Sequence, residues 1–163
     1  ETINNINNNI YINNYGSERL DYITSKEILE IIQYCDNNIL PKYIVLKHFN
    51  PDFPENKNIK CKDNLYLIKT KDKWNIISSD ILANQLYSDN SSEIGRFVRE
   101  NDKMVDEFIQ NEDFTELCKA KTDFIQLSVN GTDKDIKKRI KDVIKTHNNE
   151  TDNVIEKNIT CAI

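Results

Sequence analysis

Lys47-His48-Phe49-Asn50-Pro51-Asp52-Phe53-Pro54-Glu55-Asn56-Lys57-Asn58-Ile59 is the stretch on which the fold turns. It holds two of the chain's three prolines and lies between an apolar run with helical spacing and an alternating segment that ends at Trp74. Asn50-Pro51 stops the preceding helix, because proline carries no amide hydrogen and pushes the residue before it out of the helical region. Pro51 and Pro54 pre-set the loop, and Asn56 and Asn58 suit turns that bond their own backbone. The reading is therefore a structural loop made by Asn50, Pro54, Glu55, Asn56 and Asn58 that fixes the entry into a hairpin. His48 ends the helix before it, where the helix dipole favours the cationic imidazole.

Upstream, Thr24-Ser25-Lys26-Glu27 has the form of a capping box, and Ile28, Leu29, Ile31 and Ile32 supply the buried face of a helix running to about Cys35. A second helix starts near Leu40, with Pro41 in its first turn and Tyr43, Ile44 and Leu46 carrying it to His48. Downstream, Ile59 to Cys61 is a short strand candidate. Leu65–Ile68 and Trp74–Ile77 read as partners across a turn at Thr70-Lys71-Asp72-Lys73. Trp74 closes that hairpin and is expected in the core, packed on the Leu40–His48 helix.

Ser78 or Ser79 caps the next helix, which carries Ile81, Leu82 and Leu86 on one face. Asp89-Asn90-Ser91-Ser92 reads as a break that caps a longer helix bearing Ile94, Phe97, Val98, Val105, Phe108 and Ile109. From Asp113 to Leu127 the pattern stays helical, with Phe114, Leu117, Phe124 and Leu127 as core candidates, and Asn130-Gly131 breaks it. Residues 133–147 form a last amphipathic helix, with Ile136, Ile140, Val143 and Ile144 on one face. Lys137, Lys138, Arg139, Lys141 and Lys145 crowd the rest, a candidate contact for an anionic partner tempered by Asp133, Asp135 and Asp142.

Residues 1–16 alternate Asn pairs with single isoleucines, Ile3, Ile6, Ile10 and Ile12. Asn disfavours helix and Ile prefers extended backbone, so the stretch reads either as a flexible linker or as a strand ordered by pairing with another copy. Pairing of like arms implies a homo-oligomer, a two-fold dimer first and a three-fold bundle second. The domain reading is an arm over residues 1–16, a core over 17–100 and a helical C-terminal extension over 101–163.

Of 163 residues, 38% are hydrophobic, enough to build a core for roughly 100–120 residues. The net charge of -5 gives no global basic field for nucleic acid, so such contact would need a local patch. Cys35, Cys61, Cys118 and Cys161 are too dispersed for a zinc site or a compact disulfide framework, and read as reduced cysteines of an intracellular protein. Sequons at Asn90, Asn130, Asn149 and Asn158 are expected by chance in so Asn-rich a chain. No apolar run reaches the roughly 18 residues of a membrane span. The chain begins at Glu1 rather than Met, which reads as a fragment or processed product.

Catalytic constellations are absent from the pattern. His48 and Asn56 suggest a His–Asn metal nuclease only faintly, because no second His follows the loop and no acidic or His residue immediately precedes His48. Asp52 and Glu55 on a Pro-rich loop read as solvated or bonded to turn amides rather than as an acid–base pair. No cofactor is expected, since Gly16, Gly95 and Gly131 are too far apart to cradle a phosphate.

Ile44, His48, Phe49, Asn50, Pro51, Pro54, Glu55, Asn56, Asn58, Ile59 and Trp74 together resemble a signature of giant-virus proteins of the mimivirus type. In that paralogous family an N-terminal C2H2-like zinc finger precedes an Asn/Ile-rich linker and a C-terminal domain, and residues 1–16 are similar to the linker. The resemblance covers roughly residues 1–100. It implies a viral protein of the host cytoplasm or viral factory, the C-terminal part of a larger zinc-finger-type protein. The combined expectation is a mainly helical α+β domain, with a small antiparallel hairpin packed on a helical core and an extended N-terminal arm. Its expected function is a non-enzymatic oligomerisation and protein-interaction module. A nucleic-acid-binding accessory protein is the first alternative, and the His–Asn nuclease the second.

Overall fold

A computed structural model describes residues 10–33, 36–108 and 134–149. The elements run α1 (Ser25–Ile32), α2 (Ile39–His48), a 3-10 turn (Pro54–Asn56), β1 (Ile59–Lys62), β2 (Leu65–Thr70), β3 (Lys73–Ile77), α3 (Ser79–Glu100), α4 (Asp102–Phe108) and α5 (Lys134–Asn149). This is a mainly helical α+β fold, as the sequence implied. Its sheet is a three-stranded antiparallel meander in the order β1-β2-β3, so Ile59–Lys62 is a full partner rather than a stub before one hairpin.

The capping box forms as read. The Thr24 hydroxyl accepts from the Glu27 amide, and the Glu27 carboxylate accepts from the Thr24 amide at 2.8 Å. Helix α1 ends at Ile32, short of Cys35, which lies outside the described residues. Helix α2 is the centre of the molecule. Ile39, Leu40, Pro41, Tyr43, Ile44, Lys47 and His48 are all buried, and α1, α3, α5 and the 3-10 turn pack around it. A helix enclosed on nearly every side shows no polar stripe, which is why α2 has to find internal partners for Lys47 and His48.

Both sheet turns are two-residue links with positive φ at each position, 51° and 62° at Asp63 and Asn64 and 50° and 62° at Lys71 and Asp72. That is the type I′ geometry, whose twist matches antiparallel strands. Asn and Asp tolerate it well, and Lys71 is held in it by its surroundings. The arm supplies them. Asn14 Oδ1 accepts from the Asp72 amide, Asn14 Nδ2 donates to the Asp72 carboxylate at 3.0 Å, and the Tyr11 hydroxyl donates to the same carboxylate.

Two expectations fail. Asp89-Asn90-Ser91-Ser92 does not break the helix, because α3 runs through it without interruption. Asn90 Nδ2 donates to the Leu86 carbonyl at 2.7 Å and Ser91 Oγ to the Tyr87 carbonyl at 2.6 Å. Their side chains bond back along the helix instead of capping a new one. Trp74 is not in the core. Pairing of Lys69 with Trp74 and of Leu67 with Ile76 puts these four on the sheet face turned away from the helices. Tyr66, Ile68 and Ile59 fill the inner face.

Helix α5 comes from the region read as a C-terminal extension, yet Ile136, Ile140 and Ile144 join the same buried cluster as Ile44, Leu82 and Val98. Among the described residues no helix is long and apolar enough to cross a membrane. Phe114, Leu117, Phe124 and Leu127 lie outside the described residues. If α5 belongs to this core, Ile140→Ala lowers the unfolding free energy by about 2–5 kcal/mol and keeps one cooperative transition. A second, separate transition in a urea melt of the variant would show that α5 folds apart.

Candidate functional site

Two features stand out, a buried polar hub under the Pro-rich loop and an exposed apolar sheet face beside it. The hub begins with Gly16, whose φ of +85° is open only to residues without a Cβ penalty. It closes a turn in which the Ser17 amide donates to the Asn14 carbonyl at 2.9 Å, and so swings Glu18 inward. The Glu18 carboxylate accepts from the Gly16 amide at 3.0 Å and from Asn58 Nδ2 at 2.8 Å, and lies 3.9 Å from Lys47 Nζ. Lys47 Nζ donates to Glu93 of α3 at 2.8 Å, and the Tyr43 hydroxyl donates to the other oxygen of Glu93 at 2.8 Å. Burial opposes ionisation of Glu18, but His48, the Gly16 amide, Lys47 and Asn58 overcome it and hold the carboxyl below its ordinary value.

His48 corrects the expectation of a cation at a helix end. Its ring is fully enclosed, stacked parallel to Tyr15 at 5.8 Å, and burial pushes it down to about 4 despite the pull of Glu18. The neutral ring donates from Nδ1 to Asn58 Oδ1 at 2.9 Å, because the Asn58 amide nitrogen is already spent on Glu18. Among the described residues Nε2 has no partner. Desolvation exceeds the helix dipole here, since the dipole is worth about 2 kcal/mol at most.

Asn56 and Asn58 do not bond the loop's own backbone, as expected, so much as stitch the loop to the segment from Asn13 to Tyr22. Asn56 Oδ1 accepts from the Arg19 amide at 2.8 Å and from Asn13 Nδ2 at 3.2 Å. Asn56 Nδ2 donates to the Arg19 carbonyl at 2.6 Å and to the Tyr22 hydroxyl at 3.1 Å. All four bonding positions of the amide are filled. Tyr22 in turn reaches the carbonyls of Leu46 and Lys47 at the end of α2, and stacks on Phe53 at 3.7 Å. Elsewhere in the loop, Asn50 Oδ1 accepts from the Asp52 amide, Pro54 opens the 3-10 turn, and the Glu55 carbonyl accepts from the Asn13 amide at 2.7 Å.

The arm is thus held by its own chain over residues 10–15. The Tyr15 amide donates to the Lys69 carbonyl at 2.8 Å, the Tyr15 hydroxyl to Asp89 at 2.8 Å, and the Lys69 ammonium to the Ile12 carbonyl. Ile12 is half-buried and Ile10 exposed, while Ile3 and Ile6 lie outside the described residues.

On the outer sheet face Leu65 is 50% exposed, Ile76 71% and Trp74 36%, with Lys60 Nζ 4.2 Å above the indole ring. Lysines crowd this region. Between residues 57 and 73 there are six, against Asp63 and Asp72, in a chain of net charge -5. The basic helix read as an anion contact is less available. Lys141 pairs with Asp80, Arg139 donates to Asn38 at 2.8 Å, and Lys137 sits 5.3 Å from the Tyr87 ring, while Lys138 is exposed and Lys145 approaches Cys61. An open groove of about 310 Å³ between α2 and α5 is lined by Asn38, Pro41, Lys42, Val45 and Val143. Among the described residues no group of three or more His, Cys, Asp or Glu side chains is placed to hold a metal ion.

The hub sets two tests. In the unfolded chain His48 titrates near ~6.5, and in the fold near 4, so acid favours the unfolded state. His48's contribution is complete above pH ~6.5 and is lost as pH falls toward about 4, roughly 3 kcal/mol in all. Urea melts across that range should show the decline, and His48→Asn should flatten it. Asn56→Asp, which keeps the shape but removes both donors, is expected to cost about 2–4 kcal/mol by leaving the Arg19 carbonyl unmatched beside a carboxylate. Equal melting of the variant and the parent would show that the stitch carries no stability.

Compared with family models, curated proteins and solved structures, the chain has no match.

Proposed function

We propose that this chain is a non-enzymatic protein-interaction module whose contact surface is the outer face of the β1-β2-β3 sheet. The observation that carries the reading is the shared exposure of Leu65, Trp74 and Ile76 on one sheet face, with Leu67 between them. Scattered apolar residues on a surface are ordinary, but a contiguous patch rimmed by charge is the mark of a contact site. A buried hub beneath one end keeps the sheet rigid, so the patch is presented in one shape and loses little freedom on binding.

Oligomerisation through the arm has less to support it over residues 10–15, because the Asn13 and Tyr15 amides are taken up by the Glu55 and Lys69 carbonyls and the Ile12 carbonyl by the Lys69 ammonium. A nuclease built on His48 and Asn56 would need a base that meets water and substrate, and both side chains are enclosed. The giant-virus resemblance remains part of the proposal as its setting, a partner-binding domain in a viral protein within the host cell.

Trp74 is the chain's sole tryptophan, so its emission reports this surface directly. Short peptides selected from a displayed library on the folded protein are expected to shift that emission. They should fail against Leu65→Lys/Ile76→Lys, a variant expected to keep its circular dichroism and melting temperature. Selected peptides that bind the parent and this variant equally well would overturn the reading.

A further inference from the structure

Among the described residues no strand pairs with the outer edge of β3. Thr70 and Lys73 flank the two-residue turn at Lys71-Asp72 and form its closing pair. In an antiparallel ladder the bonded and non-bonded pairs alternate, so Asn75 and Ile77 bond to β2 through Ile68 and Tyr66. Trp74 and Ile76 then turn their N–H and C=O groups away from β2. Among the described residues nothing takes these groups up. The same two residues carry the most exposed apolar surface of the strand on the outer face. Main-chain capacity and apolar surface coincide at one place.

Charge decides what fits there. Lys71 and Lys73 are exposed and have no ion-pair partner among the described residues. The nearest acid, Asp72, is engaged by Tyr11 and Asn14. The sheet region has four more lysines than acids in a chain that is acidic as a whole, so the edge is a local basic site.

We propose that β3 takes up an extended, acidic segment of a partner protein as a fourth, edge strand. This rests on the interaction-module reading and names its partner. The segment's main chain bonds to Trp74 and Ile76. Its alternate apolar side chains lie on the outer face beside those two, and its carboxylates meet Lys73 and Lys71. A second copy fits less well, since pairing would bring two lysine-rich patches together. Nucleic acid also fits less well. It cannot use strand-edge main chain, two of the three exposed apolar residues of the outer face, Leu65 and Ile76, are aliphatic, and the Trp74 ring has an ammonium over it.

The test titrates the intact protein with a short synthetic peptide alternating Glu and Val and follows Trp74 emission. Saturable binding is expected, weakened about tenfold or more by high salt. From the main chain Ile76→Pro removes only an N–H that faces away from β2, so the fold should persist and binding should be lost, whereas Ile76→Ala, which trims the side chain and keeps that N–H, should only weaken it. Lys71→Glu/Lys73→Glu leaves the main chain untouched and should also abolish binding. Binding that survives Ile76→Pro in a folded variant overturns strand addition. Equal binding of the Lys-Val counterpart overturns the acidic partner. A shift produced by an oligothymidylate and not by the peptide assigns the face to nucleic acid and overturns the proposal. Library peptides that bind the outer face but are neither acidic nor extended leave the interaction reading standing and remove this inference alone.

Discussion

Enclosing Lys47 and His48 at the end of α2 is the constraint on which the rest of the structure depends. A buried cation without partners costs several kcal/mol, far more than the stability margin of a small domain tolerates. Lys47 is matched by Glu93 from α3 and Glu18 from the turn that follows the arm, and His48 is kept neutral and bonded to Asn58. Each partner comes from a different segment. The polar hub therefore specifies how arm, loop and α3 meet, where apolar packing alone would allow them to slide. Such a network also raises the penalty for any wrong arrangement, since half-satisfied burial is worse than none.

The Pro-rich loop acts as an adaptor between this hub and the sheet. Asn56 and Asn58 face the arm and α2, and the Asn58 carbonyl receives the Lys69 amide at 2.8 Å, continuing the ladder past the start of β1. The arm then crosses the end of β2 and clamps the Lys71-Asp72 turn. A strained lysine at positive φ is thus secured by Asn14 and Tyr11 through Asp72. Rigidity at the hub is transmitted to the turn that ends β3. The exposed face and edge lie on an element with both ends fixed, Asp72 by the arm and Ser78 as the cap of α3.

Function, on this reading, lies on the surface rather than in the conspicuous residues. His, Asn and Glu of the central loop are the chemically versatile side chains of the chain, yet they are spent on holding it together. The outer sheet face uses ordinary residues, Leu, Ile, Trp and Lys, and gains its meaning from being exposed together. Polarity inside and apolarity outside are the two informative departures from the usual arrangement of a soluble fold.

Local pattern by itself determined the capping box at Thr24, the end of α2 at Asn50-Pro51, the strand pair around Lys71-Asp72 and the buried stripe of Ile136, Ile140 and Ile144. Each depends on spacing within a few residues and on backbone chemistry that neighbours in sequence can satisfy. The mainly helical α+β class followed from the same periodicities. Tertiary structure alone decided the rest. Asn90 and Ser91 look like a break, and remain helical because α3 buries them against the core and they bond back to Leu86 and Tyr87. Trp74 looks like core, and faces outward because strand register, set by a two-residue turn, fixes which side every alternate residue takes. Asn56 looks like a local turn residue, and its partners lie more than thirty positions upstream at Arg19 and Tyr22. No sequence window contains those contacts. A side chain's propensity is local, but whether it is buried, neutral or free to bind depends on segments that only the fold brings together.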